Sequence, residues 1–196
     1  MKEVPLGILG SGKGTNCRAI LESIRSGVLA AEVRVVISDV FDAPILDIAR
    51  EFSIPNAYLP PGRFQTRLEP QAEVDLVRMF RDAGVQLVIL AGFMRVLKSP
   101  MLGAFPRRIL NIHPSLLPKF PGLEAWKQAL VTGETVTGCT VHYVDEKIDH
   151  GDVIAQREVP ILPNDTPEGL HARIQIAEHE LYPAAINEVC RKLSDS

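Results

Sequence analysis

Cysteine is scarce in this chain of 196 residues, which contains three: Cys17, Cys139 and Cys190. An odd number of widely separated cysteines, without the short spacings typical of metal ligands, argues against a disulfide framework and against a metal site. We expect three reduced thiols that serve as small packing residues, and therefore a cytoplasmic protein that holds no metal.

Long apolar runs and a strong charge imbalance are missing as well. No stretch approaches the roughly 20 apolar residues that a membrane-spanning helix needs. The N-terminus carries an early acid, Glu3, instead of the apolar core of a signal peptide. The formal net charge of −3 provides no basic surface for DNA or RNA. We therefore expect neither a membrane nor a nucleic acid as a partner.

An ordinary globular composition remains, with 46% hydrophobic and 23% charged residues. The size suits a single α/β domain over residues 1–196. Strand and helix patterns alternate through the first half, as in βαβ units. The strands are predicted at residues 4–9, 32–38, 58–59 and 86–91, and the helices at residues 15–26, 44–52 and 73–83.

The second half of the chain has a different pattern. After another strand at 108–112, residues 137–144 and 153–159 alternate like antiparallel strands. A last helix is predicted to begin after Thr166, whose hydroxyl suits the capping position, and Pro183 predicts a kink in it. The expected fold is a Rossmann-like α/β fold: a mostly parallel mixed sheet with an antiparallel C-terminal extension and a long C-terminal helix.

The most informative segment comprises residues 111–120, directly after the apolar strand at 108–110. In open α/β sheets, ligands bind at the carboxyl ends of the strands. Side chains two residues apart share a face of a strand, so the amide of Asn111 and the imidazole of His113 should lie together. Two prolines make the following loop stiff and extended. This pairing predicts a catalytic site.

A glycine-rich loop, residues 10–16, separates the first strand from the first helix. Its glycines let backbone amides approach an anion at the helix N-terminus. The loop does not match the nucleoside triphosphatase pattern, because Gly14 stands where a magnesium-binding hydroxyl belongs. It does not match the dinucleotide-binding pattern either, because Thr15 occupies the position of the third glycine. A phosphate monoester is the predicted ligand and a plain tight turn the alternative. Ser11, Thr15 or Asn16 is expected to cap the helix.

A second loop at the same predicted edge follows the most hydrophobic strand and comprises residues 91–95. Gly92 permits close approach of the backbone, and Phe93 and Met94 are suited to line a flat aromatic ligand. These two side chains suit the core equally well. Arg95 would clamp a carboxylate or a phosphate, or point into solvent.

The polar stretch 145–151 joins the two C-terminal strands and supplies several acids. A carboxylate beside His113 would hold its tautomer and favour the imidazolium. Asp149 is our choice for that carboxylate, and His150 is a rival catalytic base. Three histidines, His113, His142 and His150, together with these acids make a metal site an alternative, but their spacing does not support it.

Gln175 and Glu178 stand three residues apart on the predicted last helix, away from its apolar stripe. A pair of this kind ordinarily belongs to a solvated polar face. These two residues are expected to bind a ligand only if the helix faces the predicted ligand site at the carboxyl edge of the sheet.

Taken together, these motifs resemble those of the phosphoribosylglycinamide formyltransferase family, from Gly10 to about Pro183. The resemblance rests on five segments in the right order: 14–16, 91–95, 111–122, 149–151 and 177–183. It implies an enzyme that transfers the formyl group of 10-formyltetrahydrofolate to the glycyl amine of glycinamide ribonucleotide, in de novo purine (IMP) biosynthesis. The amine would attack directly, through a tetrahedral intermediate.

The resemblance also implies roles for individual residues. The catalytic group would be Asn111, His113 and Asp149. The ribonucleotide would be bound by Gly14, Thr15, Asn16, Gln175 and Glu178. The folate would be received by Arg67, Met94, Arg95, Val96, Leu97, Asn111, Asp145, Glu146, Lys147, Ile148 and Asp149. Residues 1–100 would be the phosphate-binding half, and residues 101–196 the catalytic and folate-binding half.

Two residues depart from the family pattern. Lys13 makes the glycine loop longer than in some members of the family, which leaves open which amides hold the phosphate. His150 stands where glycine is frequent, which leaves open how the backbone there packs against the folate. The ribonucleotide and the folate are the expected partners, and the protein is expected to be a monomer or a weak homodimer.

Other members of the wider formyl-transfer superfamily are alternatives. A methionyl-tRNA formyltransferase is expected to carry a basic tRNA-binding domain, and a formyltetrahydrofolate deformylase an additional regulatory domain; these 196 residues suggest neither. A sugar-nucleotide formyltransferase would use the same three catalytic residue types, although Gly14-Thr15-Asn16 favours the ribonucleotide. A non-catalytic module that binds a phosphorylated metabolite would leave the Asn111, His113 and Asp149 set idle.

Overall fold

A computed structural model describes residues 3–194 and places their strands in a seven-stranded sheet. The strands are β1 (Val4–Leu9), β2 (Ala31–Ser38), β3 (Asn56–Tyr58), β4 (Leu87–Leu90), β5 (Ile109–His113), β6 (Val136–Tyr143) and β7 (Val153–Pro160). The helices are α1 (Thr15–Arg25), α2 (Pro44–Glu51), α3 (Pro70–Asp82), α4 (Ser99–Ala104), α5 (Ala125–Val131) and α6 (Pro167–Ser194).

The sheet has the order β3-β2-β1-β4-β5-β6-β7. The first five strands in this order are parallel, whereas β6 pairs antiparallel to β5, and β7 antiparallel to β6. This architecture confirms the predicted fold class. The strand order reverses between β1 and β4, which creates the crevice where ligands of open α/β sheets bind. The loops that follow these two strands meet there, since the backbone amide of Ser11 donates to the carbonyl of Gly92 over 3.0 Å.

Two apolar layers cover the sheet, because successive strand residues point to opposite faces. On one face Ile8, Ile89 and Leu110 pack with residues of α1, α2 and α6. On the other face Val88 and Ile109 pack with residues of α3 and α4. Both faces of the central strand β4 are therefore buried, whereas Glu32 and Arg34 of β2 lie outside the core. The polar side chains of β5, Asn111 and His113, lie at its carboxyl end.

The N-termini of α1 and α6 are capped differently. Gly14 is the N-terminal cap of α1, with φ of +73°, and no side-chain hydrogen bond caps this helix. The predicted capping by Ser11, Thr15 or Asn16 is therefore wrong. By contrast, the amide of Gly169 donates to the hydroxyl of Thr166 over 3.1 Å at the start of α6, which confirms that cap.

Short helices account for the main differences from the predicted elements. α4 was not expected because a proline and a glycine interrupt its helical pattern. α5 was not expected because it has only 7 residues. The strand β5 continues one residue further than predicted and includes His113. α6 is a single helix of 28 residues, and Pro183 lies buried inside it.

Among residues 3–194, no helix is both long enough and apolar enough to cross a bilayer.

Candidate active site

Three chain segments converge at the carboxyl edge of the sheet. The glycine loop follows β1, residues 91–95 follow β4, and Asn111 and His113 occupy the end of β5 itself. The loop between β6 and β7 brings Asp149 to the same edge, because β6 pairs with β5 through Asn111 and His142. The antiparallel extension thus supplies the carboxylate that lies beside His113.

His113 and Asp149 are in contact, as predicted. The imidazole Nδ1 lies 3.3 Å from Oδ2 of Asp149, and Nε2 lies 2.8 Å from the carbonyl oxygen of Phe120. His113 is buried, and the Asp149 side chain is 10% exposed. Because a carbonyl oxygen can only accept, Nε2 donates to Phe120, and Nδ1 faces the carboxylate of Asp149.

Asn111 joins the cluster through His142, which the sequence suggested only as a metal ligand. Nδ1 of His142 donates to the carbonyl of Tyr143 over 2.9 Å, so Nε2 is free to accept the Nδ2–H of Asn111 at 3.2 Å. Burial lowers the pKa of His142, which agrees with a neutral ring. His142 therefore orients the amide of Asn111, and its Nε2 also lies 3.7 Å from Oδ1 of Asp149.

Asp149 adopts a left-handed backbone conformation, with φ of +52°. Such a conformation is costly for a residue other than glycine, so surrounding contacts must hold it. The amide of Gly122 donates to Oδ2 of Asp149 over 2.8 Å. On the preceding side, the amide of Lys147 donates to Oδ1 of Asp145 over 2.8 Å and closes a local turn. The side chain of Ile148 is exposed at the rim of this loop.

The loop after β5 is anchored to the antiparallel strands. The hydroxyl of Thr140 donates to the carbonyl of Ser115 over 2.7 Å and accepts the amide of Leu117 over 3.0 Å. The buried Ser115 hydroxyl donates to the carbonyl of Lys119 over 2.6 Å. The hydroxyl of Ser115 therefore supports the loop, and the peptide bond between Leu117 and Pro118 is cis.

His150, the rival catalytic base, lies outside this cluster. Its ring is 63% exposed, and its Nδ1 lies 3.4 Å from Oδ2 of Asp145. Among residues 3–194, no group of three or more His, Cys, Asp or Glu side chains is arranged to hold a metal ion. The histidines and acids of this edge therefore form a hydrogen-bonded cluster.

The glycine loop is packed tightly at its end. A Cβ added to Gly14 would lie 2.9 Å from the backbone of Ile45, so both the space and the positive φ require glycine there. Lys13 is exposed just before it. Lys13 and Thr15 line an open cavity of about 630 Å³ between α1, α2 and α6. This cavity is also lined by the carboxylates of Glu22, Asp47, Glu51 and Glu180. The feature that suits an anion is therefore the first turn of α1, whose amides have no side-chain cap.

Asn16 connects this loop with α6. Its Nδ2 donates to Oε2 of Glu178 over 2.9 Å, and its buried Oδ1 has no hydrogen-bond partner within the described part of the chain. Glu178 is only 5% exposed, so the expectation of a solvated face is wrong for this residue. Burial raises the pKa of Glu178 to about 7, and the hydrogen bond from Asn16 opposes that rise. Gln175, one turn earlier, is half-buried.

Arg95 forms an ion pair that sequence reasoning missed. Its Nε lies 2.5 Å from Oδ2 of Asp39, and its Nη1 donates to the carbonyls of Phe64 and Gln65. The other oxygen of Asp39 accepts the hydroxyl of Ser11 over 2.6 Å, and that hydroxyl accepts the amide of Met94 over 3.0 Å. The buried Asp39 therefore ties the glycine loop to the second loop of the edge.

The remaining predicted folate contacts line this second loop. Met94 is exposed, and Leu97 is buried. Val96 forms an isolated parallel bridge with Arg67, whose guanidinium lies over the ring of Phe64 at 4.2 Å. Met94, Val96 and Arg67 thus lie on connected segments, and folate binding by all of these residues stays a prediction.

Comparison with known proteins gives a consistent result. The family model described as "Formyl transferase" matches residues 6–186. Glycinamide ribonucleotide transformylase 1 from Symbiobacterium toebii has a similar crystal structure, with a TM-score of 0.93 and 46% identity over 97% of this chain and 89% of that chain. Phosphoribosylglycinamide formyltransferase from Bacillus halodurans has a TM-score of 0.89 and 41% identity, over 94% of both chains.

Longer relatives match as well. The human "Trifunctional purine biosynthetic protein adenosine-3" is 40% identical over 96% of this chain, and its counterpart from Drosophila pseudoobscura pseudoobscura is 45% identical over 91%. This chain spans 18% and 13% of the length of these two relatives.

Proposed function

Because this chain belongs to the formyl transferase family, with phosphoribosylglycinamide formyltransferases among its close structural relatives, we propose that it formylates glycinamide ribonucleotide. The donor would be 10-formyltetrahydrofolate, and the reaction would belong to de novo purine synthesis. The observation that carries the proposal is the contact between His113 and Asp149 at the sheet edge that also holds the open N-terminus of α1.

The reaction needs an electrophilic formyl carbon and an amine nucleophile. The glycyl amine attacks the formyl carbon, the carbonyl oxygen takes up negative charge, and the bond from carbon to N10 of the folate then breaks. The amine loses a proton and N10 gains one, so a group that carries a proton between them is required. Asp149, which contacts the ring of His113, would accept the proton of the amine through a water.

His113 and Asn111 would stabilise the developing oxyanion. Hydrogen-bond donors aimed at a developing charge in a dry site contribute about 3 kcal/mol each to lowering the barrier. The second Nδ2 hydrogen of Asn111 remains available, because His142 accepts the first one. Asp149 stabilises the positive charge of the His113 ring that the reaction uses.

The carbonyl of Phe120 must leave Nε2 of His113 before that nitrogen can donate to a substrate oxygen. Phe120 and Glu124 both have positive φ, of +57° and +52°, so their segment is held in a costly conformation. The tie between Gly122 and Asp149 helps to hold it. Rearrangement of residues 119–124 is therefore part of the proposed catalytic cycle.

The ribonucleotide would extend from α1 to the catalytic cluster. Its phosphate would bind Gly14, Thr15 and Asn16, and Glu178 and Gln175 would contact the rest of the substrate. The folate would lie along residues 94–97 and 145–149, with Arg67 toward its acidic tail. We further propose that the protein acts in the cytoplasm as a monomer or a weak homodimer.

The direct test follows loss of the formyl group from 10-formyltetrahydrofolate, with and without glycinamide ribonucleotide. The proposal predicts consumption that depends on the ribonucleotide and matches the formylated product one to one. Consumption at the same rate without the amine would show a hydrolase instead and would overturn the proposal.

A further inference from the structure

A buried carboxylate holds the end of residues 94–97, the proposed folate contacts that follow β4. The amide of Lys98, directly after this segment, donates to Oε1 of Glu73 over 2.5 Å. Two residues earlier, the amide of Val96 donates to the carbonyl of Thr66 over 2.9 Å. The backbone path of the segment therefore depends on acceptors from other parts of the chain, and Glu73 supplies the acceptor at its C-terminal end.

Glu73 occupies a position of α3 where the helical pattern predicts an apolar side chain. It is only 2% exposed, and Leu76 and Phe80, three and seven residues later, are fully buried in the same core-facing stripe. The apolar cluster that contains Leu76 and Phe80 also contains Leu97 of the folate segment. A carboxyl group is costly to bury in such surroundings, so its hydrogen bonds must offset that cost.

The two buried carboxylates at this loop are held in different ways. Near the start of the segment, Asp39 forms an ion pair with the guanidinium of Arg95, with 2.5 Å between Oδ2 and Nε. Glu73 instead accepts hydrogen bonds from backbone amides. Burial raises the pKa of Glu73, and hydrogen bonds from the amides of Lys98 and Met101, together with the charge of Lys98, oppose that rise. The carboxyl group of Glu73 is thus committed to the backbone of the segment and of α4.

We propose that Glu73 is a positioning residue for the folate, because its carboxylate fixes the end of residues 94–97 and thereby sets where the formyl donor lies. This deepens the proposed function and rests on it. Glu73 does not belong to the residues that the family resemblance assigned to the folate, and it acts through the backbone of the residues that were assigned. Without its carboxylate, the amide of Lys98 loses its acceptor and the segment is free to shift.

The effect of Glu73 should be confined to the donor. The glycine loop, where the ribonucleotide phosphate is proposed to bind, is tied to residues 91–95 through Asp39. The catalytic group is held by contacts between His113, Asp149 and Gly122. None of these contacts involves Glu73, so its loss should leave the ribonucleotide site and the catalytic group in place.

The test varies each substrate separately in steady-state kinetics of Glu73→Leu. Leucine suits the apolar stripe of α3 and removes both acceptor oxygens. The KM for 10-formyltetrahydrofolate should rise about tenfold, whereas kcat and the KM for glycinamide ribonucleotide should stay within about twofold of the wild-type values. Calorimetry with tetrahydrofolate should show the same loss of affinity without turnover.

Glu73→Gln is the conservative variant, and it carries the test if Glu73→Leu does not fold. Its amide keeps one acceptor oxygen and the shape of the side chain, so the KM for the donor should rise only about threefold. Asp75→Asn removes an exposed carboxylate of the same helix, which pairs with Arg78, and should change neither KM.

The split between the two substrates distinguishes positioning from a general contribution to the fold. Equal increases in both KM values would show general loosening, and an unchanged donor KM in both variants would show that Glu73 does not position the folate. Either result would overturn the inference, while formyl transfer by the wild-type chain would leave the proposed function standing. A wild-type chain without transfer that depends on the ribonucleotide would overturn the proposed function itself.

Discussion

The two sides of the cleft differ in how their hydrogen-bonding groups are satisfied. At the glycine loop, α1 begins at Gly14 without a side-chain cap, and Lys13 has no carboxylate partner among residues 3–194. At the end of β5, both ring nitrogens of His113 and both oxygens of Asp149 already lie near protein groups. The binding side is thus open to a ligand, whereas the catalytic side must exchange partners before it acts.

This difference predicts a division of labour. Groups that are open in the free protein should mainly contribute to substrate affinity, and groups held by internal partners should mainly contribute to the rate of the chemical step. Substitutions on the two sides should therefore separate into effects on KM and effects on kcat.

The largest expected effect comes from Asp149→Asn. The neutral amide no longer favours the imidazolium of His113 and accepts no proton from the amine, so kcat should fall about a thousandfold. Binding of glycinamide ribonucleotide, measured by calorimetry, should change little. Asp152→Asn, an exposed carboxylate three residues later, is the control. Equal losses of affinity and rate would contradict the division between the two sides.

A smaller effect is expected where Asp39 joins the glycine loop to residues 91–95. Asp39→Asn breaks the ion pair with Arg95, whose partners are 2% and 16% exposed, so urea unfolding should show a loss of about 3 kcal/mol. Asp75→Asn, in an exposed pair with Arg78, should cost less than about 1 kcal/mol. A loss as small for Asp39→Asn as for the control would mean that this ion pair does not hold the loops together.

The smallest expected effect is the change in protein stability with pH that the ionisation of Glu178 causes. Its pKa is raised by burial from 4.5 to about 7, so the folded protein holds this proton more tightly than the unfolded chain does. Stability should therefore fall as the pH rises from about 4.5 to about 7 and stay lower above that, by at most about 3 kcal/mol, since one pKa unit corresponds to about 1.4 kcal/mol.

Glu178→Gln should accordingly stabilise the free protein at pH 8 and have little effect near pH 4.5, as thermal unfolding would show. Glu188→Gln, an exposed glutamate on the same helix, is the matched control. A stability gain for Glu178→Gln that is the same at both pH values would contradict ionisation of a buried carboxyl as its cause.

Much of the carboxyl edge is predictable from the sequence alone, because simple rules govern it. Parallel strands present their carboxyl ends at one edge, so the loops after β1 and β4 can be grouped with the pair Asn111 and His113 from the strand pattern. Asp149 could be selected only as one of several acids, since spacing does not fix where a loop folds back.

Residues whose roles depend on register or on a distant element were missed. His142 orients Asn111 because β5 and β6 pair in a register that alternation alone does not specify. Asp39 was overlooked because its partner Arg95 lies 56 residues away. Glu178 was expected to be solvated because a helical pattern shows only its own helix, whereas Asn16 of α1 covers it.

The most direct measurement uses a donor labelled with ¹³C in its formyl group and follows a single turnover by NMR in the presence of glycinamide ribonucleotide. The account predicts that the label passes into the formamide of the product with almost no formate, and that Asp149→Asn slows this transfer without diverting the label. Label that appears mainly as formate from the wild-type protein would contradict direct transfer at the His113 cluster.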